Sequence, residues 1–331
     1  MSQPPAPPIW RVTRADLGAV LVVPADDASA EPWRVRLDRD GSAPSDEGRV
    51  PPAVGDVVEL DPATDHVTRV LPRRSVLVRD GADRTSAVQV LAANVDVVLV
   101  VEHLDPEPDL GRIERLLTLA WRSGARPVVV LTKADLVPDA AGMAADVAAV
   151  APGADVHVVA VLAGLGLEGV RALLAPGLVL VAVGPSGAGK STLVNALAGA
   201  DVMATGGLRA DGRGRHTTTH RQLVALPGGA LFIDTPGLRS VGLVADDEAL
   251  DAAFADVAEL AAHCRFGDCR HEREPGCAVL AAVEGGELPE RRLDSWRRLS
   301  REAAFHARRF DARLAAQEKA RWRAIAKARR A

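Results

Sequence analysis

The sequence predicts three domains: an N-terminal β barrel, a central α/β domain and a C-terminal, mainly helical domain. Short β segments punctuated by Gly, Pro and Asp occupy residues 1–85. From 86 to 245, uniform Val/Leu runs alternate with helical stretches, the pattern of a parallel sheet buried on both faces. Residues 246–331 have helix-forming composition, apart from one segment that contains every cysteine of the chain.

Composition indicates a soluble cytoplasmic protein with no membrane partner. No run of about 18 uncharged apolar residues occurs. The N-terminal sequence MSQPPAPPIWRV lacks the basic-then-apolar layout of a signal peptide. The net charge of −4 hides an asymmetry, because residues 291–331 hold 14 basic and 4 acidic side chains. A basic tail on an acidic body indicates a polyanionic partner.

The first domain is predicted to be a five-stranded OB-type barrel, with another small β barrel as the alternative. Residues 30–56 include a Pro/Ser/Gly-rich segment that predicts a mobile loop. Five arginines of this region are able to face nucleic acid, although a solvated charged face is the commoner explanation for such scattered charges. They are Arg34, Arg36, Arg39, Arg73 and Arg74.

The central domain is predicted from four apolar strands and a hairpin. The strands are VDVVLVV (95–101), PVVVLT (127–132), DVHVVAV (155–161) and LVLVAV (178–183). The hairpin joins RQLVAL to ALFIDT through PGG. Helical stretches such as IERLLTLAWRS and STLVNALAG lie between the strands.

The strongest motif is GPSGAGKST, which follows the last of those strands and opens a helix, as a phosphate-binding P-loop requires. Its glycines let backbone N–H groups turn toward phosphate oxygens. Lys190 is predicted to neutralise the β and γ phosphates, and Ser191 to ligate Mg²⁺. The predicted loop comprises Gly184, Pro185, Ser186, Gly187, Ala188, Gly189, Lys190, Ser191 and Thr192.

Two further motifs complete a nucleotide site. In FIDTPG, Asp234 ends a strand where it can hold the Mg²⁺ shell through water, and Gly237 can offer its N–H to a γ-phosphate. Thr132-Lys133-Ala134-Asp135 matches the element with which GTPases read guanine. Asp135 can accept hydrogen bonds from guanine N1–H and the 2-amino group, which adenine cannot supply. The alternative for each is an ordinary polar turn.

A weaker match, LAGLGLEGV, follows the strand that ends at Val161 and resembles the segment whose backbone contacts guanine O6. Ala160 and Val161 stand where that segment usually has Ser-Ala, so only a backbone contact is expected there.

Lysine usage supports the nucleotide motifs. The chain has four lysines against 36 arginines, and outside the basic tail the only lysines are Lys133 and Lys190.

The base-reading element precedes the phosphate loop, whereas ordinary GTPases have the reverse order, so the domain is predicted to be circularly permuted. A parallel sheet tolerates this because its sites form at the carboxyl ends of the strands. The segment after Gly237, which senses the γ-phosphate, then runs directly into the C-terminal domain.

The order and the flanking sequences resemble the ribosome small-subunit-dependent, circularly permuted GTPases of the RsgA/YjeQ type. The resemblance is carried by AANVDVVLVV, LTKADL, GPSGAGKSTLVNAL, GRGRHTTTHRQL, DTPGLRSVGL and CRFGDCRHEREPGCAV. It implies an OB domain (1–85), a permuted GTPase domain (86–245) and a zinc-binding helical domain (246–331). It also implies GTP hydrolysis to GDP and phosphate in late maturation of the small (30S) ribosomal subunit, stimulated by that subunit.

The loop GRGRHTTTH is predicted to be mobile and to supply a threonine to the Mg²⁺ shell. Alignment with other GTPase switches favours Thr218 over Thr217 and Thr219. Leu238 stands where Ras-like GTPases place a water-orienting Gln and cannot orient water. The resemblance makes His216 the water-positioning group, and an exposed loop histidine is the alternative.

The spacing Cys264-x4-Cys269-x-His271-x5-Cys277 offers three thiolates and an imidazole, a closed tetrahedral set typical of structural zinc. His263 is the competing imidazole, and three buried structural cysteines are the alternative to a metal.

The tail beyond the cysteine cluster is predicted to be a basic helix, packed on the body in part through an apolar stripe. The stripe comprises Trp296, Leu299, Phe305, Phe310 and Leu314.

We therefore expect a monomeric RNA-dependent assembly GTPase whose ligands are GTP or GDP, Mg²⁺ and one Zn²⁺, and whose partners are the 30S subunit and its rRNA. Truncation after about residue 315 should reduce association without abolishing GTP binding. One alternative is a ribosome- or RNA-binding module with a largely inactive nucleotide site, which the complete P-loop and Asp234 oppose. Another is a free-standing metabolic NTPase, for which no second substrate pocket is evident.

Overall fold

The computed structural model describes residues 8–61, 63–79, 89–203, 221–235 and 246–310. They form a closed barrel, a six-stranded sheet with helices on both faces, and a group of C-terminal helices. In these ranges no helix is long and apolar enough to cross a membrane. The predicted fold class is confirmed at the level of all three parts.

The N-terminal part contains seven strands, five of which close a barrel in the order β1-β2-β3-β7-β6. Neighbours are antiparallel except β3 and β7, which pair in parallel, and this arrangement is that of an OB barrel. Alternate valines such as Val12, Val35 and Val58 fill its core. The strands are β1 (Ile9–Asp16), β2 (Ala19–Pro24), β3 (Trp33–Arg36), β4 (Ala43–Ser45), β5 (Gly48–Val50), β6 (Val57–Asp61) and β7 (His66–Val70).

The segment predicted as a mobile loop contains the hairpin β4–β5, so that prediction was wrong for these residues. Ser42 is buried at the start of the hairpin and bonds the Asp40 carboxylate through both its N–H and its hydroxyl. Such local polar bonds order a segment that composition alone assigns to a loop.

One of the five barrel arginines is structural. Arg73 donates from Nε and Nη2, both at 2.8 Å, to the carboxylate of Asp56, which is fully buried. Arg74 donates to Asp96 at 2.9 Å, but its side chain is 67% exposed. Arg34, Arg36 and Arg39 also lie exposed. A nucleic-acid role therefore stays a prediction for these four.

A hairpin of β8 (Val76–Arg79) and β9 (Gln89–Ala93) leads from the barrel to the central sheet. The predicted domain boundary at 85/86 falls between its strands, in the stretch 80–88 outside the described residues. The barrel docks closely here, since a Cβ on Gly55 would lie 2.1 Å from the carbonyl oxygen of Ala93.

The central sheet has the order β12-β11-β10-β13-β15-β14, parallel except for β14, which pairs antiparallel with β15. This confirms the predicted parallel sheet and its hairpin. β12 is shorter than predicted, because the chain beyond it turns into a bridge between Ala160 and Leu165. The strands are β10 (Val97–His103), β11 (Arg126–Thr132), β12 (Asp155–Val158), β13 (Val179–Val183), β14 (Gln222–Ala225) and β15 (Leu231–Asp234).

Four helices cover the sheet. One apolar cluster joins one face to α1 (Leu110–Arg122) and α2 (Ala140–Ala149), and it continues into the C-terminal helices. The other face packs against α3 (Leu167–Arg171) and α4 (Lys190–Ala198). Single 3-10 turns occupy Ala134–Leu136, Val161–Ala163 and Pro227–Gly229.

The C-terminal part contains α5 (Asp247–Ala253), α6 (Ala255–Ala261), α7 (Ala278–Glu284) and α8 (Glu290–Phe310). Along the predicted apolar stripe, Leu299 is buried, Trp296 is half-buried and Phe305 is exposed. The Phe310 side chain and Leu314 lie outside the described parts of the chain.

The basic helix α8 begins with a buried charge network. Arg292 is 1% exposed and donates to Glu114 of α1 at 2.9 Å and to both carboxylate oxygens of Asp256 at 2.8 and 2.9 Å. Its guanidinium stacks over Phe254, with 4.1 Å to the ring centroid. Glu114, itself fully buried, also accepts from Arg291. The first arginines of the basic tail therefore dock the helix on the central sheet domain.

Candidate functional site

The phosphate loop lies between β13 and α4, where the sequence predicts it. Gly184 has φ of 148°, and a Cβ there would lie 2.0 Å from the carbonyl oxygen of Val101. Gly189 has φ of 84° and caps the N-terminus of α4. Any other residue at either position would be strained, so the glycine pattern is a requirement of this turn.

Lys190, the first residue of α4, folds over its own loop. Its Nζ donates to the carbonyl oxygens of Gly184 at 2.9 Å and Pro185 at 2.7 Å. Ser186 and Gly187 are exposed at the tip of the loop, while Ser191 and Thr192 are half-buried in the first turn of the helix. When phosphate oxygens enter the loop, the Lys190 ammonium would release the two carbonyl oxygens and bind the phosphate oxygens instead.

The predicted base-reading element follows β11. Lys133 takes the left-handed backbone conformation with φ of 60°, and Ala134 to Leu136 form one 3-10 turn. Asp135 is exposed, and its carboxylate makes no hydrogen bond or ion pair with any part of the chain that the structure describes. A free, outward carboxylate is what base recognition by Asp135 requires.

Thr132 has a different environment from its neighbours. It is 1% exposed, and its hydroxyl lies 2.7 Å from the carbonyl oxygen of Ala188 and 3.3 Å from that of Glu102. A hydroxyl has one proton, so the shorter contact to the phosphate loop is its main hydrogen bond. Thr132 therefore fixes the base-reading element to the P-loop, a role that the motif alone did not reveal.

The predicted O6 segment lies beside the base-reading turn, since the N–H of Ala134 donates to the carbonyl oxygen of Val159 at 3.3 Å. Ala160 is buried, and its N–H donates to Leu165 at 3.0 Å. The prediction of a backbone contact with O6 therefore rests on Val161 rather than on Ala160.

Asp234 ends β15, the strand next to β13, and so lies at the same edge of the sheet as the phosphate loop. Burial raises the pKa of the Asp234 carboxyl above its ordinary value. No described cation offsets this burial, whereas a bound divalent cation would.

The carboxyl ends of β11, β13 and β15 thus bring together residues separated by about a hundred positions in sequence. Three predicted site residues, His216, Thr218 and Gly237, lie outside the described ranges. So do the alternative threonines, Thr217 and Thr219, and Leu238.

The cysteine cluster is assembled in the structure. Cys264 Sγ lies 3.8 Å from Cys277 Sγ and 3.6 Å from His271 Nδ1, and His271 Nδ1 lies 3.3 Å from Cys277 Sγ. The Cys269 ligand atom completes a group within 4.8 Å. Tetrahedral zinc requires about 3.8 Å between sulfurs and about 3.6 Å between sulfur and nitrogen. The donor set therefore fits zinc.

His271, rather than the exposed His263, is the imidazole of this cluster. Burial lowers the pKa of His271, which keeps the ring in the neutral form that binds metals. Trp296 of α8 packs edge-on against the ring at 5.2 Å, and Arg297 donates to the His271 carbonyl oxygen. The first part of the basic helix thus supports the cluster.

Glu274 orders the loop between the ligands. Its carboxylate accepts from the N–H groups of Glu272 at 2.8 Å, Arg273 at 3.0 Å and Arg270 at 3.1 Å. These backbone donors, that of Arg273 foremost, lower the pKa of Glu274 to about 2. The carboxylate stays ionised at neutral pH and holds the loop in its ligand-presenting form.

A P-loop, a T-K-A-D turn and a partly buried aspartate at one sheet edge, in permuted order, define the class of circularly permuted P-loop GTPases. A model of the RsgA GTPase family matches residues 70–244. The small ribosomal subunit biogenesis GTPase RsgA of Streptomyces avermitilis is 50% identical over 319 residues, covering 95% of this chain and 84% of that protein. The chain belongs to the RsgA GTPase family and is a GTP hydrolase.

Other relatives agree. The small ribosomal subunit biogenesis GTPase RsgA of Methanosarcina acetivorans is 41% identical, covering 83% of this chain and 76% of that protein. The crystal structure of YjeQ from Thermotoga maritima superposes with a TM-score of 0.66 at 26% identity, covering 89% of this chain and 98% of that one. YloQ, a circularly permuted GTPase, shares the fold with a TM-score of 0.64 at 24% identity, covering 92% and 97%.

Proposed function

We propose that this GTPase binds the small ribosomal subunit and assists its late maturation, hydrolysing GTP to GDP and phosphate when the subunit stimulates it. The observation that carries the proposal is the assembled nucleotide site on a chain half identical to a small-subunit biogenesis GTPase. We further propose that it acts as a cytoplasmic monomer on 30S particles and their rRNA.

The phosphate loop would bind GTP through its inward N–H groups, with the Lys190 ammonium leaving Gly184 and Pro185 for the β and γ phosphates. Ser191 and Thr218 would hold Mg²⁺, with Asp234 on its water shell. Mg²⁺ when bound supplies charge neutralisation at the leaving phosphate. Burial raises the pKa of Asp234, and a nearby Mg²⁺ would offset the cost of keeping that carboxylate ionised, which supports this role.

Guanine recognition would rest on Asp135, whose exposed carboxylate is free to pair with N1–H and the 2-amino group. Lys133 would lie along the base, and the backbone of Val161 would contact guanine O6. Thr132 acts on this site through the P-loop rather than through the base.

Hydrolysis would depend on His216 to position the attacking water, because Leu238 cannot. This assignment predicts slow turnover alone and faster turnover when the ribosomal partner orders the loop. His216→Ala should abolish the stimulated rate while leaving GDP affinity unchanged.

One zinc ion would be held by Cys264, Cys269, His271 and Cys277. Because these four ligands fill the tetrahedral site, the zinc would be structural rather than catalytic. RNA contact is proposed for the exposed barrel arginines and for the basic tail beyond α8. The earlier arginines of the tail are already engaged with Glu114 and with the zinc loop, so they contribute little free charge to RNA.

The test is hydrolysis of GTP and of ATP by zinc-loaded protein, with and without 30S particles, with Lys190→Ala as the inactive control. We expect slow GTP turnover, strong stimulation by 30S particles and no ATP turnover. Binding to 30S particles without any GTP turnover would favour the alternative, a ribosome-binding module with an inactive nucleotide site.

A further inference from the structure

The strand between the two parts of the nucleotide site, β10, ends in a buried charge. β10 lies between β11, which carries the base-reading element, and β13, which carries the phosphate loop. Its apolar run 97–101 is followed by Glu102, which is 0% exposed. Burying a carboxylate costs free energy that another valine would not cost. Because an apolar residue would serve the core at least as well, the charge needs another explanation.

The Glu102 carboxylate is held by the first turn of α1. Arg112 donates to it from Nε at 2.7 Å and from Nη2 at 3.1 Å. The N–H of His103 donates to the same carboxylate at 3.1 Å. Asp109, the N-cap of α1, fixes Arg112 in turn, because its carboxylate accepts from the Arg112 N–H at 2.9 Å and pairs with Nη1 at 3.0 Å. The end of β10 is therefore bonded to the start of α1 through charged groups.

The same strand end contacts both parts of the nucleotide site. The N–H of Leu104 donates to the Thr132 carbonyl oxygen at 3.0 Å, and the Thr132 hydroxyl bonds the Ala188 carbonyl of the phosphate loop. On the other side, Gly184 packs so closely on the carbonyl oxygen of Val101 that no Cβ fits. The end of β10 thus contacts the base-reading element and the phosphate loop at once.

We propose that Glu102 and Arg112 are positioning residues for guanine nucleotide binding, which fix the end of β10 and so keep the spacing between the base-reading element and the phosphate loop. The inference rests on the proposed nucleotide site and is independent of the ribosomal partner. Neither side chain is assigned a contact with the nucleotide. The two parts of the site must bind opposite ends of one ligand, so a change in their spacing weakens binding even when each part is intact.

The first test compares Arg112→Gln with Arg73→Gln in the affinity of the zinc-loaded full chain for a fluorescent GDP analogue, without 30S particles. Arg73 is the matched control, because it makes the same Nε and Nη2 pair with fully buried Asp56 in the barrel. Both variants leave a buried carboxylate unpaired and should melt at lower temperatures than wild type. Affinity is measured where circular dichroism shows all three proteins folded. We expect it to fall about tenfold for Arg112→Gln and to change less than about twofold for Arg73→Gln.

A second comparison separates positioning from general damage. A double variant, Glu102→Met with Arg112→Met, leaves no unpaired charge buried, so its melting temperature should return toward that of wild type. Its GDP affinity should stay about tenfold lowered, because neither the bond to α1 nor the bond from the His103 N–H is restored. A role in stability alone would restore both quantities together.

The route through Thr132 is tested by combining Arg112→Gln with Thr132→Val. Each substitution alone is expected to weaken GDP binding about tenfold, and independent losses would multiply to about a hundredfold. Because both substitutions loosen the same part of the site, the combined loss should be only about 10- to 30-fold.

The proposal would be overturned by an Arg112→Gln protein with wild-type GDP affinity, by an equal loss in Arg73→Gln, or by affinity that recovers with stability in the double methionine variant. Fully multiplicative losses with Thr132→Val would contradict it as well. A wild-type protein that binds no GDP would refute the proposed nucleotide site, and this inference with it. Wild type that binds GDP without stimulation by 30S particles would refute only the ribosomal function.

Discussion

The phosphate loop and the cysteine cluster both precede a helix, but they hold their polar groups in opposite ways. Gly189 caps α4, and the Lys190 ammonium is bonded to carbonyls of its own loop. Cys277 caps α7, and its sulfur already lies 3.3 Å from His271 Nδ1 and 3.8 Å from Cys264 Sγ, close to the distances of a tetrahedral metal site. One site must rearrange to bind its ligand, and the other is preformed.

The difference separates a site for a substrate that must leave from a site for an ion that stays. When the product departs, the Lys190 ammonium can return from the phosphates to the carbonyl oxygens of its own loop. It therefore loses little interaction free energy. A closed set of four donors gives up its ion only when the fold around it opens. The predictions below test this contrast, from the largest expected effect to the smallest.

Removing a zinc ligand should have the largest effect. Cys277→Ser is expected to lose the metal and unfold α7 and the zinc loop, because structural zinc contributes about 10–16 kcal/mol of apparent binding free energy, as much as a whole domain's stability. GDP binding at the P-loop should persist. Metal content, circular dichroism and GDP affinity measure the three outcomes. His263→Ala is the control and should keep one zinc per chain, and a Cys277→Ser protein that did the same would refute the ligand assignment.

The second largest effect is expected where the zinc domain docks on α1. Arg292→Ala removes every bond to Asp256 and one to buried Glu114, which should lower the free energy of unfolding by about 3–5 kcal/mol. Chemical denaturation followed by circular dichroism measures it. Within the described ranges, the exposed Arg298 of the same helix makes one side-chain hydrogen bond, at 3.4 Å to Ser295, so Arg298→Ala should change stability by less than about 0.5 kcal/mol. Equal effects of the two substitutions would contradict the buried network.

The brace between base-reading element and phosphate loop should have a smaller effect. Thr132→Val leaves the Ala188 carbonyl without its partner, which should cost about 1–3 kcal/mol and weaken GDP binding about tenfold. Thr132→Ser keeps the hydroxyl and should bind GDP nearly as wild type does. Titration with a fluorescent GDP analogue measures both, and equal affinities of Val and Ser variants would show that the hydroxyl does not matter.

The smallest effect concerns Asp234, whose pKa is raised by burial. The folded state then holds the proton more tightly than the unfolded state. Stability of nucleotide-free protein should therefore be highest below the unfolded pKa and fall as pH rises through the folded one. Asp234→Asn should remove that fall and so raise Tm slightly at pH 7. Thermal melts across pH 3 to 8 check this, and identical pH profiles would contradict it.

Much of the fold and of the nucleotide site was predictable because local chemistry determines them. Uniform Val/Leu runs specify buried parallel strands, and the glycines at 184 and 189 are needed by the backbone itself. The cysteine spacing likewise brings four donors together. In each case a few neighbouring residues carry the whole signal.

What the sequence did not reveal depends on contacts between distant segments. Arg292 is one of many arginines in a basic run, and only the approach of Glu114, 178 positions away, makes it a core residue. Thr132 resembles a weakened base contact until the Ala188 carbonyl is found 2.7 Å from its hydroxyl.

The central claim is that motifs in permuted order form one guanine-specific hydrolytic site. The most direct measurement is kcat/KM of wild type and Asp135→Asn for GTP and for XTP, in the presence of 30S particles. Replacing the carboxylate by an amide should exchange guanine for xanthine, whose 2-oxo group accepts a hydrogen bond. The account predicts that the variant loses about 10⁴-fold on GTP and gains turnover of XTP. An Asp135→Asn protein that hydrolyses GTP as wild type does would contradict it.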